Sequence, residues 1–214
     1  MVSKSQIDRL GDRLKEGPYS DDDVRELDAY RQTFVDAYTI VVGRIRGELG
    51  LEPTGRPAKS TTAIVDKLRR ETIRLSQVQD IAGCRIVVPA IEAQTERVQR
   101  LISIFPSAGF VDRRMIPSFG YRAVHLIVSQ DDALVEIQVR TRRQHQWAEL
   151  SEKLSDALGV ELKYGGGEAR LQQQLRWLSD AIALQERDVP EQPADANIDS
   201  SIAALIALYI NQNS

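Results

Sequence analysis

Apolar side chains recur at three- and four-residue spacing along the first quarter of the chain. Val24, Leu27, Tyr30, Phe34, Tyr38, Val41 and Val42 form the inward stripe of a long helix opened by Asp21-Asp22-Asp23, acids that suit the positive end of a helix dipole. Pro53 and Pro57 bracket a break, and residues 60–74 predict a second helix with Ile64, Leu68 and Ile73 inward. Cys84-Arg85-Ile86-Val87-Val88, ended by Pro89, is a short β-branched run of the kind found in buried strands. Residues 91–105 return to helical spacing through Val98, Leu101, Ile102 and Phe105, and residues 110–115 read as extended. Residues 122–129 alternate, with Ala123, His125 and Ile127 on one face and Val124, Leu126 and Val128 on the other. Asp131-Asp132 makes a turn, and residues 134–140 return as the partner of a hairpin. Helices follow at 142–158 and, after Gly165-Gly166-Gly167, at 168–187; a linker at 190–193 leads to a last apolar helix at 202–210. The sum is an α+β fold, a mixed sheet of about four or five strands flanked by helices.

Composition narrows the classes. No stretch approaches the roughly 18 apolar residues of a spanning helix, and the first 17 residues are polar and charged, without the apolar segment of a signal peptide. A soluble, cytoplasmic protein with no membrane partner is expected. With 28 basic and 31 acidic residues and a net charge of −3, the chain has no global basic field, which leaves only a local basic face open. The single cysteine, Cys84, excludes an intramolecular disulfide. Two histidines and one cysteine do not make a structural zinc site.

Three charged groups sit on or beside core strands. Asp80 stands just before Ile81-Ala82-Gly83, Arg85 lies inside the next strand, and Glu136 is mid-strand between Val135 and Ile137. A carboxylate costs several kcal/mol to bury alone. Each is explained by a salt bridge to Arg85 or Arg140, or by a Mg²⁺ site built from two carboxylates beside a glycine. Strand periodicity puts Glu136, Gln138 and Arg140 on one face, either solvated or lined for a ligand, to which His125 adds if the hairpin register allows. Arg56, Lys59, Lys67 and Arg70 belong to a basic patch that is either solvated or a holder of polyphosphate; no Walker A loop occurs. Tyr121, after Gly120, reads as an exposed aromatic able to stack on a base, or as packing. His145 and Trp147 read as helix packing or surface.

Together, Asp80-Ile-Ala-Gly-Cys-Arg-Ile86, Gly120-Tyr-Arg-Ala-Val-His125 and Glu136-Ile-Gln-Val-Arg-Thr141 resemble, in order and spacing, the signature blocks of the RelA/SpoT synthetase domain. The resemblance covers about residues 40–165. It implies a nucleotidyltransferase-like mixed sheet as the synthetase domain at 51–165; the spacing adds an N-terminal helical segment at 1–50 and C-terminal helices at 166–214. It further implies an ATP-dependent pyrophosphokinase that moves the β,γ-pyrophosphate of ATP to the 3′-hydroxyl of GDP or GTP and releases AMP. Carried over by position, Asp80 and Glu136 would be catalytic and hold Mg²⁺, with Glu136 beside the metal or acting as base. Arg56, Lys59, Lys67, Arg70 and Arg85 would bind ATP, and Tyr121, His125, Gln138 and Arg140 would bind the acceptor.

Two departures bear on the acceptor. The loop Arg113-Arg114-Met115-Ile116-Pro117-Ser118-Phe119 lacks the Lys that makers of guanosine tetraphosphate commonly carry there, and Arg56 and Lys59 do not keep the family's Arg-x-Lys spacing. The tail Trp147 to Gly167 resembles that of the toxic small alarmone synthetases, whose members pyrophosphorylate the 3′ end of tRNA. That branch implies tRNA as alternative acceptor and an antitoxin protein as partner; Arg113, Arg114, Arg142 and Arg143 are either solvated charges or contacts for a tRNA backbone. An inactive nucleotide-sensing module is a third reading, opposed by the intact Asp80 and Glu136. The stripe Ile202, Leu205, Ile206 and Tyr209 either folds back or serves a homo-oligomer.

Overall fold

A computed structural model describes residues 3–188, so the linker and last helix expected beyond residue 189 lie outside the described residues. The described chain forms two compact units, one of residues 3–86, 97–111 and 124–139, the other of residues 87–96, 112–123 and 140–188.

The first unit opens with α1 (Lys4–Glu16), inside the helical segment expected at 1–50, although its charged sequence gives no periodicity that sets its limits. Ser3 caps it, and the Gln6 side chain accepts from the Ser3 backbone N–H at 2.8 Å. Ile7, Leu10 and Leu14 are its buried stripe. Such a sparse stripe holds because its partner comes close: a Cβ on Gly11 would stand 2.7 Å from the Cβ of Leu75, in the short 3₁₀ turn Leu75–Gln77. In α2 (Asp21–Leu49), Leu27, Phe34, Val41 and Val42 are buried as the spacing predicts, while Val24, Tyr30 and Tyr38 are half-buried. Helix α3 (Thr61–Arg70) stops short of Arg74, because Glu71 turns extended and Thr72-Ile73 pairs two β-branched side chains that lose rotamer freedom in a helix. Ile73 is only half-buried, and Leu75 takes the buried place.

The sheet runs β1-β2-β5-β4-β3, from β1 (Thr54–Arg56), β2 (Ala82–Val88), β3 (Gly109–Asp112), β4 (Val124–Gln130) and β5 (Ala133–Thr141). Strand β1 falls where the prolines predict only a break. It pairs antiparallel with β2, Gly55 opposite Cys84 and Arg56 opposite Gly83. Close approach demands the glycine, since a Cβ on Gly55 would stand 2.3 Å from the Gly83 carbonyl oxygen and 2.6 Å from the Cys84 Cα. β4 and β5 form the expected hairpin, with Asp131 and Asp132 at positive φ (51° and 64°) as a two-residue primed turn requires. Cys84, Ile86, Leu126, Val128, Val135, Ile137 and Val139 are buried on one set of alternating positions. The other set, Gly83, Arg85, His125, Ile127, Glu136 and Gln138, is half-buried. Helix α2 packs against β4. In α4 (Ile91–Ile104), Val98 and Leu101 are buried, but Ile102, expected inward, is 41% exposed. It stands about 100° around the helix from Leu101, and Phe105 fills the core side, with the Arg44 guanidinium 4.8 Å over its ring.

In the second unit, α5 (Arg142–Leu158) and α6 (Ala169–Asp188) close on the segment before β4. Tyr121, Ala123, Trp147, Leu150, Leu162, Leu171, Leu175 and Ile182 are buried together, and Trp147 Nε1 donates to the Leu175 carbonyl at 2.8 Å. No helix among the described residues is long and apolar enough to cross a membrane.

The close approach at β1 sets a test. Gly55→Ala is expected to destabilise the protein by about 1–3 kcal/mol through backbone displacement. Gly43→Ala in α2, where an added Cβ meets nothing within 4 Å, is expected to stabilise it by about 0.5–1 kcal/mol; guanidinium unfolding midpoints of the two variants check both signs.

Candidate active site

Asp80 lies between the Leu75–Gln77 turn and β2. Each of its oxygens meets a lysine: Lys59 Nζ donates to Oδ2 at 2.7 Å and Lys67 Nζ to Oδ1 at 3.0 Å. Lys59 directly precedes the Ser60 cap of α3, and its backbone N–H donates to the Ile81 carbonyl at 2.7 Å, tying the start of that helix to the start of β2. Lys67 lies further along α3. Burial pushes the Asp80 carboxyl up, but the charges and hydrogen bonds of Lys59 and Lys67 outweigh it and hold the group below the usual carboxylate range. Lys67 and Arg70 also approach the Glu71 carboxylate, at 3.8 and 3.6 Å.

Glu136 is built the same way from different donors. Its Oε1 is 2.6 Å from His125 Nδ1, and its Oε2 accepts from Gln138 Nε2 at 2.6 Å. The register explains the first contact: His125 faces Gln138 and Ile127 faces Glu136, so His125 and Glu136 are diagonal neighbours on one face. Burial raises the Glu136 carboxyl, His125 and Gln138 lower it by more, and the charge of Asp80 works against them; the net position is below the usual range. Two ionised carboxylates therefore lie within electrostatic reach of each other. A Cβ on Gly83 would stand 3.2 Å from the Glu136 carbonyl oxygen and 3.6 Å from its Cβ, so the glycine keeps this part of the face low. Arg85 follows two residues on, opposite Thr54, and Arg56 is exposed on β1 opposite Gly83. Cys84, on the buried face, is pushed up to about 12 by burial and by the charge of Glu136, so it stays a thiol and is no nucleophile.

Of the two readings of Tyr121, the structure has the packed one. The residue is 8% exposed rather than an open platform, because Trp147, Leu175 and their neighbours enclose it. Arg140 Nη2 donates to its hydroxyl at 2.8 Å and the guanidinium stands 4.9 Å from the ring centroid, with Lys163 Nζ at 5.7 Å. Lys163 is a neighbour that sequence reasoning saw only as part of the tail; it also pairs with Glu152. Of the basic residues considered for a tRNA backbone, Arg114 is paired with Asp112 at 2.6 Å and Arg143 donates to Gln185 at 2.9 Å. His145 lies 3.5 Å from Glu149 along its own helix, and Trp147 is core.

Residues 55–155 match the family model described as the region found in RelA / SpoT proteins. That region takes in just under half of the chain. An uncharacterized protein of Mycobacterium tuberculosis (strain H37Rv) is 34% identical over 170 residues, covering 76% of this chain and 62% of that one, so the chain spans about three-fifths of that relative's length. GTP pyrophosphokinase YjbM of Bacillus subtilis (strain 168) is 29% identical over 154 residues, covering 64% of this chain and 69% of that one. The small alarmone synthetase 1 of Bacillus subtilis bound to its product pppGpp superposes with a TM-score of 0.63 at 21% identity over 77% of this chain and 94% of that one. The fold, a five-stranded mixed sheet flanked by helices, is thus that of the small alarmone synthetases.

The lysine pair around Asp80 has a pH signature. A carboxyl lowered in the folded state contributes stability that is present above its unfolded value, about 3.9, and is lost as pH falls through the folded value. Asp80→Asn is therefore expected to cost about 1–3 kcal/mol at pH 7, with the gap from wild type closing on acidification below about pH 4. Urea unfolding at both pH values measures it.

Proposed function

We propose that this protein is an ATP-dependent pyrophosphokinase that transfers the β,γ-pyrophosphate of ATP to the 3′-hydroxyl of GDP or GTP, releasing AMP. The observation that carries the reading is the pair of ionised carboxylates, Asp80 and Glu136, each held by two donors and set among Lys59, Lys67 and Arg85. The matched RelA/SpoT region contains all five, and a relative bears the name GTP pyrophosphokinase.

The donor set suits Mg²⁺. Both groups are hard, charged oxygen donors, and Mg²⁺ is commonly held by one or two carboxylates and completed by substrate phosphates and water. Asp80 and Glu136 would hold the ion, which when bound neutralises charge on the phosphate oxygens. The chain's own groups do the rest. Arriving phosphates draw Lys59 and Lys67 from Asp80, exchanging one anionic partner for another, while Arg85, Arg70 and Arg56 add cations for the remaining oxygens. Glu136, ionised and steadied by His125, accepts the hydrogen of the acceptor hydroxyl and aims its oxygen at the β-phosphorus. The new oxygen–phosphorus bond forms as the bond from the β-phosphorus to the bridging oxygen breaks, and AMP leaves with that oxygen. The groups for the acceptor are Gln138 in the first unit and, in the second, Arg140 and Tyr121, which takes the acceptor base on its ring as Lys163 yields its place.

Incubation with γ-labelled ATP, Mg²⁺ and GDP, GTP or deacylated tRNA tests the reading. Label on a guanine nucleotide with equivalent AMP is expected. Label on tRNA would replace the acceptor, and no transfer would contradict the activity. Glu136→Gln and Asp80→Asn are each expected to lower transfer at least about 100-fold while circular dichroism stays that of the folded protein.

A further inference from the structure

We propose that Ser179 and Asp180 of α6 are positioning residues for the acceptor, acting through the Gly120-Tyr121-Arg122 turn; the inference rests on the acceptor role proposed for Tyr121. The turn before Tyr121 is irregular, with Phe119 at φ 51° and Gly120 at φ 91°, both in the left-handed region. Ser118 and Tyr121 close it by exchanging backbone hydrogen bonds at 2.8 and 3.2 Å, and the Gly120 carbonyl finds its partner in α6: the Ser179 hydroxyl donates to it at 2.5 Å.

The same hydroxyl accepts from Arg122 Nε at 3.0 Å. Arg122 Nη2 donates to Asp180 Oδ1 at 2.6 Å, and Nη1 to the Arg114 carbonyl. Arg122 is thus aimed at α6 and at its own loop, and the residues either side of Tyr121 are both fastened to one serine. Packing closes the remaining freedom. A Cβ on Gly120 would stand 2.7 Å from the Trp147 ring, 3.3 Å from the Leu175 carbonyl oxygen and 3.4 Å from the Arg176 Cα. Trp147 and Arg114 lie within the matched region 55–155, but Leu175, Arg176, Ser179 and Asp180 lie outside it, so the acceptor turn draws part of its support from a helix that the family region does not include.

The two residues differ in weight. Ser179 is 2% exposed, and its loss leaves a buried carbonyl and a guanidinium N–H each without a partner. The Asp180 side chain is 61% exposed, so its ion pair is screened by solvent. The experiment measures KM for the acceptor that wild type uses and, separately, for ATP, in the intact chain carrying Ser179→Ala, Ser179→Thr or Asp180→Asn, with a urea midpoint for each. Ser179→Ala is expected to raise the acceptor KM about tenfold and Asp180→Asn about two- to fivefold. The ATP KM should not move, and Ser179→Thr, which keeps the hydroxyl, should restore the acceptor KM. An unchanged acceptor KM, or a fall in kcat and midpoint with both KM values moving together, overturns the positioning role while the transferase reading stands. A wild-type protein that transfers nothing overturns that reading and this inference with it.

Discussion

A carboxylate largely withdrawn from water has to be matched by charge, and around Asp80 that requirement organises the first unit. The two cations come from either end of α3, one on the residue before its cap and one further along the helix, so ionised Asp80 ties the helix to the start of β2. Removing the acid would leave two ammonium groups crowded together, and removing either lysine would leave the acid under-compensated. The arrangement ties α3 to the start of β2 and, on the proposed function, keeps two cations ready for a polyanion with more charge to offer than a single carboxylate.

Glu136 shows a second solution to the same constraint. Its donors are an imidazole and an amide on the hairpin, placed by register. Because the two carboxylates sense each other's charge, holding both ionised requires both donor pairs. A group held below its usual range is a weak proton acceptor but a dependable anion. On the proposed reading Glu136 therefore takes the hydroxyl proton as the new bond forms rather than before it, and contributes orientation and charge neutralisation as well, which phosphoryl transfer chiefly asks for.

Much of this was legible in the residues, for physical reasons that differ from element to element. The hairpin of β4 and β5 and the helix from Arg142 to Leu158 carry unbroken periodicity and turn chemistry, so their limits follow from the sequence almost to the residue. Helix α1 falls within the expected N-terminal helical segment, but its limits do not follow from the sequence, because three apolar residues in thirteen suffice only when Leu75 packs beside Gly11, a neighbour far away in the chain. Strand β1 was hidden because a three-residue edge strand takes its conformation from its partner. The basic patch was visible, but its attachment to Asp80 across 21 positions was not. Tyr121 beside its glycine reads as either exposed or packed, and only the neighbours Trp147 and Leu175 decide that it is enclosed.

The central claim is that Lys59 and Lys67 exchange the carboxylate of Asp80 for the phosphates of ATP. Calorimetric titration with α,β-methylene ATP, which cannot be cleaved at the reacting bond, tests it apart from any acceptor. With Mg²⁺ present the account predicts binding to wild type and affinity weakened by about tenfold or more in Lys59→Met and in Lys67→Met, as the loss of a charge-assisted contact implies. Unchanged affinity in both variants would contradict it.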